Sequence, residues 1–293
     1  MIETGFDSIN RKYREIWKKY LKEEEPDAIE AMHLNRWPLQ YPPNKMKKKA
    51  ILFVGFNPAY NSRKPFLKID QKDYKNPESV LDNDKILNEA LDIERKALSP
   101  SRNFQKKGGY YSLFPKIAED VLGDSAKWSH LDLLPLRESS QDKLKESLCL
   151  NNENLFLLSN KNCKNKNYKN DDYKEFIKKL LCVFCDAVYL LDPLIIVVVN
   201  GYVSKSIISI TGSEYRSIGI QGNQSDLQEI CFKVKIDSEN FKQTGARTMT
   251  IREKKYPLLL TSMITGKHAL DLGSRERLAW HLQLIKPSLV NNV

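Results

Sequence analysis

The sequence predicts an α/β fold, a three-layer α/β/α sandwich around a short, mostly parallel sheet. Short apolar runs alternate along the chain with longer segments in which apolar residues recur every three or four positions. The first pattern indicates buried strands, and the second indicates amphipathic helices. Buried strands that alternate with helices form a parallel sheet covered on both faces, which gives the predicted class. The apolar runs lie at 50–54, 131–136, 194–199 and 257–263.

The first third of the chain contains two predicted helices and the first predicted strand. Apolar residues at three- and four-residue spacing predict a helix over 6–21. Pro26 and the proline-rich stretch 38–43 are expected to break helical periodicity. The strand at 50–54 is ended by a glycine and a proline, and a further helix is predicted over 84–98.

The remaining two thirds repeat this alternation. A Gly-Gly pair and Gly123 delimit one helix, and Gly201 opens another directly after the third strand. Alternating apolar residues indicate a β-ribbon before the last strand. The predicted elements are helices over 108–123, 173–191, 203–210 and 274–284, and a ribbon that pairs 229–236 with 247–251.

Length and charge limit the class of protein. A chain of 293 residues, 41% of them hydrophobic, supports a core without disulfides. We predict a single domain over 1–293, with insertions at 61–107, 151–170 and 213–250. The net charge of +10 favours a polyanionic partner, but charge by itself does not establish one.

The sequence also predicts the compartment. No apolar run exceeds six residues, which excludes a transmembrane helix, and the first twenty residues lack the apolar core of a secretion signal. A cytoplasmic protein is expected. The five cysteines are an odd number, and thiols are their expected state.

Polar residues follow the predicted strands at the points where the strands end. They are Asn57, Asp132, Asn200 and Ser262. In open α/β sheets, ligands bind outside the carboxyl ends of the strands. The four side chains are therefore expected to form a site at one edge of the sheet.

Four segments carry a resemblance to a known family. They are 54–59 (VGFNPA), 130–137 (HLDLLPLR), 194–206 (LIIVVVNGYVSKS) and 258–263 (LLLTSM). In this order they resemble the motifs of the uracil-DNA glycosylase superfamily, whose first motif is G-I-N-P-G in one branch and G-Q-D-P-Y in another. The resemblance covers 50–284 and leaves mainly the insertions unmatched.

The resemblance implies a uracil-DNA glycosylase-like domain that binds double-stranded DNA, flips out a nucleotide and hydrolyses its N-glycosidic bond without a metal or cofactor. It further implies a monofunctional enzyme acting on a modified cytosine-type base, as in the prokaryotic anti-phage branch that removes glucosylated hydroxymethylcytosine from phage DNA. Two alternatives stay open: a uracil or thymine mismatch repair glycosylase, and a catalytically silent DNA-binding module on the same fold.

Asn57 matches the family position that holds the attacking water. An amide is not a strong base, but an oxocarbenium-like transition state requires only a positioned water. The alternative is that Asn57 and Pro58 form an ordinary turn after a strand.

Asp132 matches the position where uracil-specific members carry Asn. A carboxylate only accepts hydrogen bonds, so it suits the exocyclic amine of cytosine and repels O4 of uracil. The alternative is a structural role, as a helix cap or as the ion-pair partner of Arg137.

Ser262 stands at the start of the family's H-P-S triplet, so the histidine that usually stabilises the departing base is missing. The candidate catalytic replacements are Ser262 itself and His268, six positions later, although His268 could instead contact a DNA phosphate. Ile264 is a candidate wedge in the gap left by the flipped nucleotide. An ordinary surface loop is the alternative. Neighbouring residues predicted to contact DNA are Thr265, Lys267, Arg275 and Arg277.

The other predicted base contacts come from the same motifs. They are Gly55, Phe56, Pro58, Tyr60, Phe66 and Asn200, with Tyr110 and Tyr111 as weaker candidates. The aromatic residues among them could equally pack in the core. Cys182 and Cys185 lie in an apolar helix and are expected to be packing residues. No zinc or iron-sulfur site is predicted.

Overall fold

The computed structural model describes residues 5–36, 39–58, 68–69, 72–73, 81, 83–98, 110–138, 140–151, 170–210, 232–235, 245–262 and 272–290. The helices are α1 (Gly5–Glu23), α2 (Pro26–Ala31), α3 (Asp84–Ala97), α4 (Phe114–Leu122), α5 (Gln141–Ser147), α6 (Asn170–Leu191), α7 (Gly201–Ile210) and α8 (Leu272–Val290). The strands are β1 (Ile51–Gly55), β2 (Lys68–Ile69), β3 (Lys72–Asp73), β4 (Trp128–Asp132), β5 (Ile195–Val199), β6 (Lys233–Lys235), β7 (Arg247–Ile251) and β8 (Lys254–Thr261).

The main sheet of the described chain has the strand order β4-β1-β5-β8-β7-β6. The first four strands in this order are parallel. The last two form an antiparallel extension through β8, which confirms the predicted pairing of the β-ribbon. The short strands β2 and β3 pair with each other inside the predicted insertion 61–107. The predicted class, an α/β/α fold around a mostly parallel sheet, is confirmed.

The sheet is covered by helices because its strands are apolar on both faces. Every residue of β1, β4 and β5 is buried. Phe53 of β1 stacks on Phe114 of α4 with ring centroids 4.1 Å apart, while its neighbours Leu52 and Val54 point to the opposite face. Burial of each such side chain stabilises the fold by about 1.5–3 kcal/mol. No helix in the described ranges is long and apolar enough to span a membrane.

Helical structure is interrupted just before Pro26, as predicted, and Pro26 itself lies in the first turn of α2. Proline is tolerated there because the first amide groups of a helix have no intrahelical acceptor. The break between α1 and α2 lies at residues 24 and 25.

The second strand begins and ends earlier than the predicted 131–136. It spans β4, Trp128–Asp132, and includes the buried polar residues Ser129 and His130. Residues 133–138 instead form an extended loop beside the end of β1. The prediction followed the apolar residues at 131–136. The observed bounds of β4 follow instead from its backbone pairing with β1, which spans Trp128 to Asp132.

The predicted thiol state holds for Cys182 and Cys185, which form no disulfide. It is wrong for Cys149, which is disulfide-bonded. Cys185 is buried in the core cluster, in agreement with the predicted packing role.

Candidate active site

The topology places a switch point at the carboxyl edge of the sheet. The chain passes from β1 to β4 on one side and later from β5 to β8 on the other. The adjacent carboxyl ends of β1 and β5 therefore form a topological switch point, where α/β sheets bind ligands. Asn57 follows β1 and Asn200 follows β5, while Asp132 ends β4. The predicted strand-end residues thus share one edge.

The amide of Asn57 is fixed in orientation by backbone carbonyls. Its Nδ2 donates to the carbonyl oxygens of Glu138 at 2.9 Å, Pro58 at 3.2 Å and Leu136 at 3.4 Å. Since all three neighbours are acceptors, the NH2 group must face them. No donor in the described part of the chain contacts Oδ1, so this oxygen can accept a hydrogen bond from a ligand.

The loop that carries Asn57 is joined to the loop after β4. Leu133 N–H donates to Gly55 O at 3.0 Å, and Leu134 N–H donates to Phe56 O at 2.9 Å. These bonds continue the β1–β4 ladder beyond the strand ends. Backbone hydrogen bonds between the two loops therefore fix the position of Asn57.

Asp132 is buried, with 3% of its surface exposed. Its backbone N–H donates to the hydroxyl of Tyr41 at 3.1 Å. Its Oδ1 lies 3.9 Å from Nε2 of His130, beyond hydrogen-bond distance. Within the described ranges, the carboxyl has no hydrogen-bond partner. The alternative, an ion pair between Asp132 and Arg137, is not found among the described residues, where the Arg137 guanidinium pairs with Glu94.

Gly55 makes room for this carboxyl. A Cβ at position 55 would lie 2.5 Å from Asp132 Oδ1, 3.0 Å from the Tyr110 hydroxyl and 3.1 Å from His130 Nε2. Real Cβ atoms do not approach other atoms at 2.5 Å, so any other residue at position 55 would force the carboxyl of Asp132 to move. Three polar groups therefore converge over Gly55, and the hydroxyl of Tyr110 lies 3.4 Å from His130 Nε2.

Burial controls the ionisation of these groups. It raises the pKa of Asp132 to about 8, an effect that the nearby charge of Arg137 opposes and that of Glu94 reinforces. Burial also lowers the pKa of His130 to about 3. At neutral pH, Asp132 is therefore mostly a neutral acid beside a neutral imidazole. It can donate one hydrogen bond as well as accept one, unlike the carboxylate expected from the sequence.

We expect Asp132→Asn to stabilise the protein in a pH-dependent manner. The folded-state pKa lies above the ordinary value of 3.8, so folding opposes ionisation. The wild type should lose stability relative to the amide variant as pH rises from about 4 to about 8. The rise of this pKa from 3.8 to about 8 corresponds to a gain on the order of 5 kcal/mol near pH 8, and the gain should be near zero at pH 4. Urea unfolding across this pH range measures it, with exposed Asp120→Asn as the control. A gain independent of pH would contradict the assignment of a raised pKa.

Asn200, which was predicted to contact the base, caps the start of α7. Its Oδ1 accepts hydrogen bonds from the backbone N–H groups of Tyr202 and Val203, both at 3.0 Å, at the start of α7. Such an N-cap satisfies donors that the helix leaves unpaired. The capping bonds leave only the NH2 group for a base contact.

The other described candidates differ in exposure. Phe56 is buried and meets Tyr202 edge to face, with centroids 5.2 Å apart. Ser262 is exposed. It lies next to the first residue of α7, because its Cβ is 3.9 Å from the position that a Cβ would take at Gly201. Arg277 is exposed on α8. Tyr60, Phe66, Ile264, Thr265, Lys267 and His268 lie outside the described residues, as does the side chain of Arg275.

The sequence did not single out His130 and gave Tyr110 little weight. One signal was available for His130, because residues two apart on a strand share a face and it stands two before Asp132. Nothing local indicated that Tyr110 reaches the same point. No cluster of three potential metal ligands occurs in the described residues.

No protein-family model matches the sequence, and no curated protein matches it. The likeness to the uracil-DNA glycosylase superfamily therefore rests on the four motifs quoted above. The fold and the arrangement of the site define the class at a coarser level, an α/β protein with polar residues at the carboxyl ends of its parallel strands.

Proposed function

We propose that this protein is a monofunctional DNA glycosylase that excises a modified cytosine-type base from double-stranded DNA. The observation that carries the proposal is the amide of Asn57, whose NH2 group is held by three carbonyls at the switch point. This leaves Oδ1 to accept a hydrogen bond from water. The water then presents its oxygen to the sugar carbon as the base departs.

Asp132 supports the choice of base. A buried acid that lacks a hydrogen-bond partner in the described part of the chain costs stability, and such a cost is typical of functional sites. An extruded cytosine offers an exocyclic amine that donates to one carboxyl oxygen. Above its pKa of about 8 the carboxylate accepts from this amine and repels O4 of uracil, whereas the protonated acid can also donate to O4. The preference for cytosine should therefore be largest in alkaline solution.

The test is incubation with duplexes that each contain one modified base, followed by alkaline cleavage at abasic sites. The proposal expects strand breaks with cytosine-derived bases and fewer with uracil, with the larger difference at pH 9 than at pH 6. Breaks with uracil or mismatched thymine alone would favour the repair alternative. Binding to the duplexes without any base release would favour the silent DNA-binding module.

Duplex binding is expected to depend steeply on salt. A protein that neutralises three phosphates should lose about thirtyfold in affinity between roughly 50 and 200 mM salt. Arg277 is a candidate contact, so Arg277→Gln should reduce the slope of log affinity against log salt by about one. Fluorescence anisotropy measures both. Lys255→Gln, an exposed residue at the amino end of β8, is the control expected to leave the slope unchanged. A flat salt response of the wild type would argue against nucleic acid as the partner.

A further inference from the structure

Glu138 forms a buried anchor beside Asn57. Its side chain is 4% exposed, and its Oε2 accepts a hydrogen bond from Arg36 Nη1 at 2.9 Å. Its Oε1 accepts from the backbone N–H of Ser140 at 3.2 Å. The same arginine also donates to the carbonyl of Arg137. A buried carboxylate held by a guanidinium and a backbone donor is a strongly fixed group.

The main chain of Glu138 holds the loop that follows β1. Its carbonyl accepts the shortest of the three bonds from Asn57 Nδ2, at 2.9 Å. Its N–H donates to Pro58 O at 3.2 Å. One residue thus connects the side chain of Asn57 and the backbone of Pro58 to Arg36. The link reaches the segment that follows α2, far from β1 in sequence.

His33 lies near the carboxylate of Glu138 but does not replace Arg36 as its positively charged partner. His33 Nδ1 lies 3.7 Å from Glu138 Oε2, and its Nε2 is 2.6 Å from the hydroxyl of Ser147. Burial, followed by the nearby charge of Arg36, lowers the pKa of His33 to about 4. The ring is therefore neutral near pH 7. Arg36 supplies the positive charge in this pair.

We propose that Glu138 is the positioning residue for Asn57, because its anchored side chain fixes the backbone carbonyl that orients the catalytic amide. The proposal rests on the proposed function, in which Asn57 holds the attacking water. If the ion pair with Arg36 is lost, the 136–138 carbonyls can shift, and the amide loses the acceptors that fix its NH2 group and with it the orientation of Oδ1. Base release should then slow even though Glu138 does not touch the substrate.

The variant that tests this is Glu138→Gln, which keeps the shape and the acceptor for Ser140 but loses the charge that pairs with Arg36. The matched control is Glu30→Gln, the same change at an exposed residue of α2. Single-turnover base release should fall about ten- to a hundredfold in Glu138→Gln, while duplex affinity stays within about threefold. Glu138→Asp, which keeps the charge, should retain more activity than Glu138→Gln. A purely structural role would reduce rate and affinity together, and that result would overturn the proposal.

A second measurement does not depend on activity. The side-chain amide protons of Asn57, assigned by their loss in Asn57→Ala, should shift and exchange faster with solvent in Glu138→Gln than in the wild type or in Glu30→Gln. Unchanged amide signals would overturn the positioning role even if the rate fell. If the wild type released no base from any duplex, the proposed function would fail. The amide signals would still decide whether Glu138 positions Asn57.

Discussion

Asn57→Ala is expected to lower the rate of base release by about a hundred- to a thousandfold, while duplex binding changes by only a few fold. The amide orients a water molecule for the transition state and adds little affinity in the ground state. Removal of one preorganised group of this kind typically costs two to three orders of magnitude in rate. The loops around residue 57 should keep their conformation in this variant. The backbone N–H groups of Leu133 and Leu134 donate to the carbonyls of Gly55 and Phe56, and these bonds do not involve the side chain of Asn57.

Single-turnover rates and anisotropy, measured on the same duplex, check this prediction. Asn44→Ala, an exposed asparagine in the 3-10 turn Pro43–Lys45, is the control expected to behave as wild type. Near-normal chemistry in Asn57→Ala would remove this residue from the mechanism. A parallel loss of affinity and rate would instead indicate a folding or binding role.

Asp132→Asn is expected to shift base selectivity toward uracil, most strongly in alkaline solution. Above its pKa of about 8, the wild-type side chain is a carboxylate that accepts from the exocyclic amine of cytosine and repels uracil O4. The amide variant presents a donor to O4 at every pH. The ratio of rates on cytosine-type and uracil-containing duplexes should therefore drop by about ten- to a hundredfold at pH 9.

The pH dependence of this ratio separates recognition from folding. Below pH 8 the wild-type acid is protonated and can donate to O4 as well, so the effect of the substitution should be smaller at pH 6. Wild-type selectivity should rise between pH 6 and pH 9, while that of Asp132→Asn stays constant. Asp120→Asn should follow the wild type. A ratio that is the same in wild type and Asp132→Asn at both pH values would mean that Asp132 does not recognise the base.

The residues predicted at the strand ends show how much of the site the local sequence pattern predicts. Asn57 and Asp132 follow from apolar runs that end in polar residues, and both stand at the carboxyl edge of the sheet. Asn200 was predicted by the same rule, but its oxygen caps α7. The sequence pattern predicts that a polar residue lies at an edge of the sheet, but it does not predict which neighbours form hydrogen bonds with that residue.

The sequence by itself determined the fold class, since strand and helix periodicities specify which faces must be buried. It also determined which strand ends carry polar groups. Only the tertiary structure decided the chemical state of the site. Asp132 is a neutral acid because residues distant in sequence, among them Tyr41 and Tyr110, exclude water around it. Asn57 has a fixed orientation because carbonyls from the loop after β4 surround its NH2 group. Ionisation and hydrogen-bond direction depend on the whole environment of a group, and that environment is assembled from distant segments of the chain.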